Sequence, residues 1–178
     1  MKASVEQRLR PVAERNNGVI PVWEAKTVGV SPGTLRKWAS RRDDVDHACR
    51  GGYVWWLDDL DIDFDALPFS ETAASVGSDA VLTGPSVLEL LGLGTADGGR
   101  FMFETPRRRR CRPDVRWFTV KIMDPADFQY RGVRCRNVRD ALRTSRTLMD
   151  SDKFAEAVNA AFDNGFIGQG ERDELLRR

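Results

Sequence analysis

Residues 18–57 carry the pattern that most restricts the fold of this chain: two short helices, a glycine turn between them, and a hairpin. Pro21 suits the first turn of a helix, where its missing N–H leaves no hydrogen bond unmade. Gly29 supplies the positive φ that a tight turn between helices requires. Ser31 is then expected to cap a second helix, with Pro32 at its first helical position. The residues predicted to face inward are Val22, Ala25, Val28, Val30, Leu35 and Trp38, with Trp23 as a further candidate in the first helix.

Two runs of strand-forming residues follow, Val45–Arg50 and Tyr53–Leu57, joined by Gly51-Gly52. A glycine pair between such runs indicates a two-residue hairpin turn. Two crossing helices followed by a β-hairpin make a winged helix-turn-helix, which binds duplex DNA through its second helix. Residues 1–57 are therefore predicted to be a winged helix-turn-helix DNA-binding domain. The alternative is a small helical subdomain closed by a hairpin, whose charges only face water.

The predicted DNA contacts lie on the outward side of the second helix and at the tip of the hairpin. The N-terminal residues of such a helix contact base edges, and its cationic end lies near phosphates. Glu24 occupies a position in the first helix of the pair where an apolar residue is more usual. The predicted contacts are Ser31, Gly33, Thr34, Arg36, Lys37, Arg41, Arg42, Arg50 and Gly51.

The net charge of +1 conceals a segregation of charge along the chain. Residues 1–57 and residues 80–178 each carry a net +4, whereas residues 58–79 contain seven acids and no base. In the run DDLDIDFDAL the aspartates alternate with Leu60, Ile62 and Phe64, which fits an edge strand or an extended segment docking its apolar side. The glycine and terminal glutamate of an EF-hand are missing. Residues 58–69 are predicted to be a solvated acidic linker that keeps this side of the molecule off phosphates.

Beyond the acidic segment, residues 70–178 are predicted to form a small α+β domain with mostly antiparallel strands and C-terminal helices. The predicted strands are Ala80–Thr83, Arg100–Thr105, Val115–Met123 and Gly132–Arg136. The predicted helices are Ser70–Val76, Pro85–Leu91, Asn137–Leu148, Asp152–Asn164 and Gln169–Leu176.

Between two of those strands lies the run PRRRRCRP, residues 106–113. Such a density of guanidinium groups repels itself unless an anion neutralises it. The functional interpretation is a second nucleic-acid contact, either to phosphates beside the operator or to an RNA. The alternative is a solvated loop whose arginines pair with the acidic linker or the acidic tail. The five residues concerned are Arg107, Arg108, Arg109, Arg110 and Arg112.

The remaining features argue against a membrane span, a metal site and an enzyme. No stretch approaches the roughly 20 apolar residues that cross a bilayer, and no apolar run follows the first charges as in a signal peptide. Three cysteines without CxxC spacing predict reduced thiols in a cytoplasmic protein. His47 and Cys49 could share one side of a strand, but a metal site would need two more ligands. No metal and no cofactor are predicted.

An enzyme is not predicted either, because a single histidine argues against most hydrolytic triads. A nuclease of the D…(D/E)xK type needs carboxylates and a lysine at one metal. Asp114 precedes the strand that contains Lys121, yet no acid lies two residues before that lysine.

Several of these motifs, taken in order, resemble the AbiEi family, antitoxins of type IV toxin–antitoxin systems. The motifs are GVIP, EA and GVS followed by TLR, then RGGYV, AVLTG, SVLELLGL and TPRRRR. The first matching group is Gly18, Ala25, Gly29, Val30, Ser31, Thr34, Leu35, Arg36, Gly52 and Tyr53. The second is Ser86, Leu88, Leu91, Gly92, Leu93, Thr105, Pro106 and Arg107.

The resemblance implies a winged helix followed by an α+β antitoxin domain. It further implies a repressor that binds double-stranded DNA in its own promoter and counteracts a nucleotidyltransferase-like toxin, commonly without a stable complex with it. Many winged-helix repressors bind inverted repeats, so we expect two copies on one site. A winged-helix regulator, or an RNA- or protein-binding module unrelated to a toxin, is the alternative.

Overall fold

The computed structural model describes residues 3–95, 99–120 and 126–177. Within these ranges the chain forms eight helices and two β-sheets, so the fold is α+β, as predicted. The chain divides into two compact units. The first comprises Met1–Ser78 with Tyr130–Val133, and the second comprises Asp79–Gln129 with Arg134–Arg178.

The first unit has a three-stranded antiparallel sheet with helices on both faces. Its elements are α1 (Val5–Arg15), β1 (Val19–Pro21), α2 (Val22–Thr27), α3 (Pro32–Ala39), β2 (Val45–Cys49), β3 (Gly52–Trp55) and α4 (Leu67–Val76). The strand order is β1-β3-β2. Ile20 and Trp55 pack with α1, α2 and α3 on one face. Val19 and Val54 pack with Ala74 of α4 on the other, because successive strand residues point to opposite faces.

The local signals at the start of α3 are confirmed. The Ser31 hydroxyl accepts a hydrogen bond from the Thr34 N–H at 3.1 Å, and Pro32 is the first helical residue. Gly29 has φ +75°, the conformation expected in the turn between α2 and α3. Pro21 lies one residue earlier than expected, as the last residue of β1 and the N-cap of α2. Strand β1 itself was not predicted.

The hairpin turn lies one residue earlier in the chain than predicted. Cys49 pairs with Gly52, so the two turn residues are Arg50 and Gly51, and Gly52 is the first residue of β3. Neither glycine has a positive φ. A Cβ on Gly51 would lie 2.8 Å from the Ala74 carbonyl oxygen, and one on Gly52 would lie 3.0 Å from the Ala74 Cβ. Both glycines therefore serve the close approach of α4.

The structure places the boundary between the units later than the sequence predicted. The Asn17 side chain donates to the Asp63 carbonyl at 2.7 Å and accepts from the Asp63 N–H at 2.8 Å. Ile62 packs against Gly18, and Arg10 pairs with Asp59. Residues 58–69 are thus docked on the first unit through Ile62, Asp59 and the Asp63 backbone and are not a free linker, although Phe64 is 71% exposed. Helix α4, which was assigned to the second domain, belongs to the first unit because it covers the sheet.

The second unit has a five-stranded sheet with strand order β6-β5-β4-β8-β7. Its elements are β4 (Val81–Leu82), α5 (Pro85–Leu90), β5 (Phe101–Thr105), β6 (Val115–Thr119), β7 (Phe128–Tyr130), β8 (Val133–Cys135), α6 (Val138–Ser145), α7 (Ser151–Asp163) and α8 (Gln169–Leu176). Strand β7 was not predicted, and residues 121–123 of one predicted strand lie outside the described residues.

Strand directions in this sheet are mixed. Strands β4 and β5 are antiparallel, whereas β4 with β8 and β5 with β6 are parallel. Over the two sheets together the expectation of mostly antiparallel strands is confirmed, since β1–β3, β2–β3 and β4–β5 are antiparallel. The parallel β5–β6 pair is joined by the nine-residue connection 106–114, which carries the chain back from the end of β5 to the start of β6. A hairpin loop needs only two to five residues.

A buried ionic cluster lies on the sheet of the second unit. Arg136 pairs with Glu104 and donates to Asp127 at 3.1 Å, and the side chains of all three are nearly inaccessible. Thr83 donates to Glu104 at 2.8 Å. Buried charges of this kind are tolerated when they are paired and hydrogen-bonded. Burial, together with Asp127, raises the pKa of the adjacent Cys135 thiol to about 12.

Candidate nucleic-acid interface

Helix α3 presents one buried side and one exposed, basic side. Leu35 and Ala39, four residues apart, are buried against the rest of the first unit. Thr34, Arg36, Lys37 and Arg41 are exposed, and so are Ser31, Pro32 and Gly33 at the N-terminal end. This division follows from the 3.6-residue helical period, which puts the apolar residues on one stripe. The predicted exposure of Thr34 and Arg36 is confirmed.

Two grooves flank this exposed side of α3. The first, of about 630 Å³, lies between α3 and the start of α1, with Val5 and Glu6 on its far wall. The second, of about 370 Å³, lies between α3 and the β2–β3 hairpin. Arg36 lines both grooves, so α3 forms a ridge with space on either side.

Arg42 differs from its predicted role, because its guanidinium group is engaged within the protein. It donates to both carboxylate oxygens of Asp44 at 2.7 Å and lies 3.1 Å from Glu6. The same group lies 5.3 Å from the Trp38 ring centroid and 5.1 Å from that of Trp55. These contacts fix the end of α3 to the start of β2, so we assign Arg42 to the fold. Arg41, its exposed neighbour, keeps its predicted place on the surface.

The Arg42 guanidinium holds the pKa of the Asp44 carboxyl at about 2 through its hydrogen bonds, with a further hydrogen bond from the Trp55 indole N–H at 3.0 Å. The two rings, Trp38 and Trp55, meet edge to face at 4.9 Å. Arginine, carboxylate and two indoles thus form one polar-aromatic cluster beside the exposed side of α3, which we call the Arg42 cluster.

Gly51 also departs from its predicted role as a DNA contact. One side of its α-carbon faces the backbone of α4, and its carbonyl accepts a hydrogen bond from the Val22 N–H at 2.8 Å. Gly51 is therefore a packing residue beneath α4. Arg50, the other turn residue, is exposed.

Two polar side chains that sequence reasoning passed over or questioned hold α2 and α3 in position. Arg8 of α1 donates to the Gly29 carbonyl at 2.7 Å, at the turn between the two helices. Glu24 accepts from Arg15 at 2.8 Å and from the Asn16 amide at 2.6 Å. These two hydrogen bonds join α2 to the end of α1, which explains a charged residue at a position that is usually apolar. The sequence signal that could have identified Arg8 is its spacing: it follows Val5, which packs against the core, by three residues, so both side chains lie on the same side of α1.

The arginine run of the second unit divides into anchored and exposed members. Arg109 pairs with Asp79, and Arg112 donates to Asp114 through its Nε at 3.1 Å. Arg107 lies 3.8 Å from Asp79, with 81% of its side chain exposed. Arg108 and Arg110 are exposed as well. The acidic partners of the arginine run are thus Asp79 and Asp114. The alternative interpretation of the sequence had instead expected the acidic linker or the acidic tail to pair with these arginines.

His47 and Cys49 lie on opposite faces of the first sheet. The His47 ring meets the Tyr53 ring edge to face at 5.0 Å, on the side of α3, whereas the Cys49 thiol donates to the Glu71 carbonyl at 3.3 Å, on the side of α4. A register shift between Asp46 and Cys49 separates the two. Cys49, Cys111 and Cys135 form no disulfide bond. Within the described part of the chain, no group of three or more His, Cys, Asp or Glu side chains could hold a metal ion. Lys121 lies outside the described residues.

Comparison of the chain with family models and with curated proteins gives no match. Among solved structures, the crystal structure of the RV2827C protein from Mycobacterium tuberculosis aligns with 99% of this chain and 82% of that chain. The aligned residues are 12% identical, and the TM-score is 0.38, which does not establish a shared fold. Across residues 3–95, 99–120 and 126–177, no helix has both the length and the apolar character needed to span a membrane.

Proposed function

We propose that the first unit is a winged helix-turn-helix that binds duplex DNA and represses transcription by occupying a promoter. In this proposal α2 and α3 are the helix-turn-helix pair, α3 enters the major groove, and the β2–β3 hairpin is the wing. The observation that carries the proposal is the exposed row Thr34, Arg36, Lys37 and Arg41 on α3, with Leu35 and Ala39 buried behind it.

The dimensions and chemistry of α3 suit this role. A helix with its side chains is roughly 10–12 Å across, close to the major-groove width of about 12 Å. Gly33 adds no side chain at the N-terminal end, where a Cβ would lie 4.0 Å from the nearest protein atom, the Ser31 hydroxyl. Bases and phosphates could therefore approach the start of α3 closely. Arg36 and Lys37 supply the cations that DNA binding requires.

The resemblance to AbiEi antitoxins extends the proposal. The chain would bind inverted repeats in the promoter of its own operon and counteract a nucleotidyltransferase-like toxin encoded beside it. Finding a nucleotidyltransferase gene beside the gene for this chain would support the extension, and finding none would favour a winged-helix regulator unrelated to a toxin.

The test is binding of the purified protein to its own upstream DNA, measured by fluorescence anisotropy at several salt concentrations. We expect Thr34→Ala and Arg36→Ala to remove the preference for upstream DNA over random duplex, because both side chains lie where base edges would be read. Arg41→Ala should weaken binding to all duplexes equally and reduce the salt dependence. Arg143→Ala is the control, since it removes an exposed cation from α6 of the second unit. Equal losses from Arg36→Ala and Arg143→Ala would contradict the assignment of α3.

A second candidate function, RNA or protein binding by the second unit, is favoured by the exposed Arg107, Arg108 and Arg110. Replacing these three with alanine, while keeping the anchored Arg109, leaves the Asp79 contact in place. Loss of operator affinity would assign the loop to DNA. Unchanged operator affinity with loss of toxin neutralisation would assign it to another partner.

A further inference from the structure

The groove between α3 and the hairpin contains hydrogen-bond donors that the row on α3 does not include. It is lined by Arg36, Ala39 and Ser40 from α3, and by Val45, His47 and Tyr53 from the hairpin. Ala39 is buried and Val45 half-buried, which gives the groove an apolar floor. Its polar groups come from both walls.

The hairpin wall presents two aromatic rings with polar edges. His47 is exposed on β2, and Tyr53 is half-buried on the central strand β3. Their rings meet edge to face at 5.0 Å with an interplanar angle of 71°, so each limits the freedom of the other. Tyrosine offers a phenolic O–H, and a ring N–H of histidine is a donor.

The charge of the groove favours an anion. None of its six lining residues is acidic, and Arg36 contributes a guanidinium group from the opposite wall. Asp46, which precedes His47, accepts from the Trp56 indole N–H at 2.6 Å on the other face of the sheet. Asp44 is held by Arg42. The carboxylates of Asp44 and Asp46 are therefore directed away from the groove.

We infer that this groove holds a phosphodiester of the DNA strand that flanks α3, with His47 and Tyr53 donating to its oxygens opposite Arg36. This inference rests on the proposed function. A phosphodiester accepts hydrogen bonds and has no proton to donate at neutral pH, which matches the donors of His47 and Tyr53, while Arg36 on the opposite wall contributes positive charge. The groove has a volume of about 370 Å³ and is open to solvent, so a phosphate group of a DNA strand lying against it has room to enter.

The contact fixes the helix on the duplex and carries no sequence information, because every nucleotide has the same phosphate. Variants of His47 and Tyr53 should therefore lower affinity for all duplexes by the same factor. Variants of Thr34 and Arg36 should also change the preference among sequences. This difference separates the hairpin wall from the exposed row on α3.

The experiment compares Tyr53→Phe and His47→Ala with the wild type on upstream and random duplexes. Tyr53→Phe keeps the ring and the charge and removes one hydroxyl, so we expect affinity to fall by about 10- to 100-fold for both duplexes, the value of one hydrogen bond to a charged acceptor. Tyr130→Phe is the matched control, because Tyr130 is the other tyrosine of the chain and lies at the end of β7. Thermal unfolding of each variant confirms that the fold is retained.

A double-mutant cycle identifies the phosphate. Single phosphates of the upstream duplex are replaced in turn by neutral methylphosphonates, and each duplex is titrated with the wild type and with Tyr53→Phe. We expect one position where the replacement weakens the wild type but has little further effect on Tyr53→Phe. Full additivity at every position, or unchanged affinity in both hairpin variants while Arg36→Ala loses specificity, would overturn this inference alone. Absence of DNA binding by the wild type would overturn the proposed function itself.

Discussion

Replacement of Arg42 by alanine tests whether this arginine belongs to the fold or to the DNA-binding surface. The substitution removes the paired hydrogen bonds to Asp44, the contact with Glu6, and the placement of the guanidinium over Trp38 and Trp55. Two cation–π contacts at partly exposed sites contribute about 0.5–1 kcal/mol each. The bidentate ion pair with Asp44 is partly exposed, with 26% of the Arg42 side chain and 38% of the Asp44 side chain accessible, and contributes about 1 kcal/mol. We expect Arg42→Ala to lower the free energy of unfolding of the first unit by about 2–3 kcal/mol.

Urea denaturation followed by tryptophan fluorescence suits this measurement, because four of the five tryptophans lie in the first unit. Arg41→Ala is the matched control, since it removes the same charge from an exposed neighbour and should change stability by less than about 0.5 kcal/mol. Arg42→Lys should fall between the two, because lysine keeps the charge but loses the planar fork that pairs and stacks. Equal stability of Arg42→Ala and Arg41→Ala would refute the assignment of Arg42 to the fold.

Three further predictions concern the Arg42 cluster, the hairpin turn and the buried ionic cluster. The pKa of Asp44 is lowered to about 2, so the stabilisation of the folded state by the Asp44 carboxylate is complete above about pH 4 and is lost as the pH falls toward 2. The difference in unfolding free energy between the wild type and Asp44→Asn should therefore narrow from about pH 4 to about pH 2, as measured by unfolding at a series of acid pH values. Gly51→Ala should lower the unfolding free energy by about 1–3 kcal/mol because its Cβ meets the α4 backbone. Gly33→Ala should raise the unfolding free energy by about 0.5–1 kcal/mol, because alanine favours the helix more than glycine does, and should weaken DNA binding. Equal urea midpoints for these two variants would count against the packing of Gly51. Glu104→Gln should destabilise the second unit by about 1–3 kcal/mol because it replaces one of the two carboxylates that pair with Arg136 by a neutral amide while Asp127 remains. Arg139→Ala, exposed on α6, should change stability little when both variants are measured by hydrogen exchange.

The start of α3 could be predicted because its signals are local. Gly29, Ser31 and Pro32 act on residues within one helical turn, and the alternation of exposed and buried residues along α3 follows from the helical period. The same reasoning located most helices of the second unit, including α6 with its cap at Asn137. Nothing comparable marks β1, whose three residues are recognisable only from their pairing with β3.

The errors came from contacts between residues distant in sequence. The glycine pair at the hairpin indicated a turn, but the residue that makes glycine necessary at position 51 is Ala74. The aspartate-rich segment indicated a linker, but Asn17, 46 residues earlier, holds Asp63 through two hydrogen bonds. Composition records how many charges a segment carries and does not record which of them are already paired.

The docking of α4 on the first sheet determines where the chain can be truncated to give a stable N-terminal fragment. A fragment that stops at residue 57 would expose Val19 and Val54 on one face of the three-stranded sheet, and exposed apolar faces promote aggregation. Extending the fragment to Ser78 restores the cover and retains the Asn17–Asp63 tie. Binding studies on an isolated N-terminal piece should therefore begin from the longer fragment, since aggregation of the shorter one would mimic a loss of function.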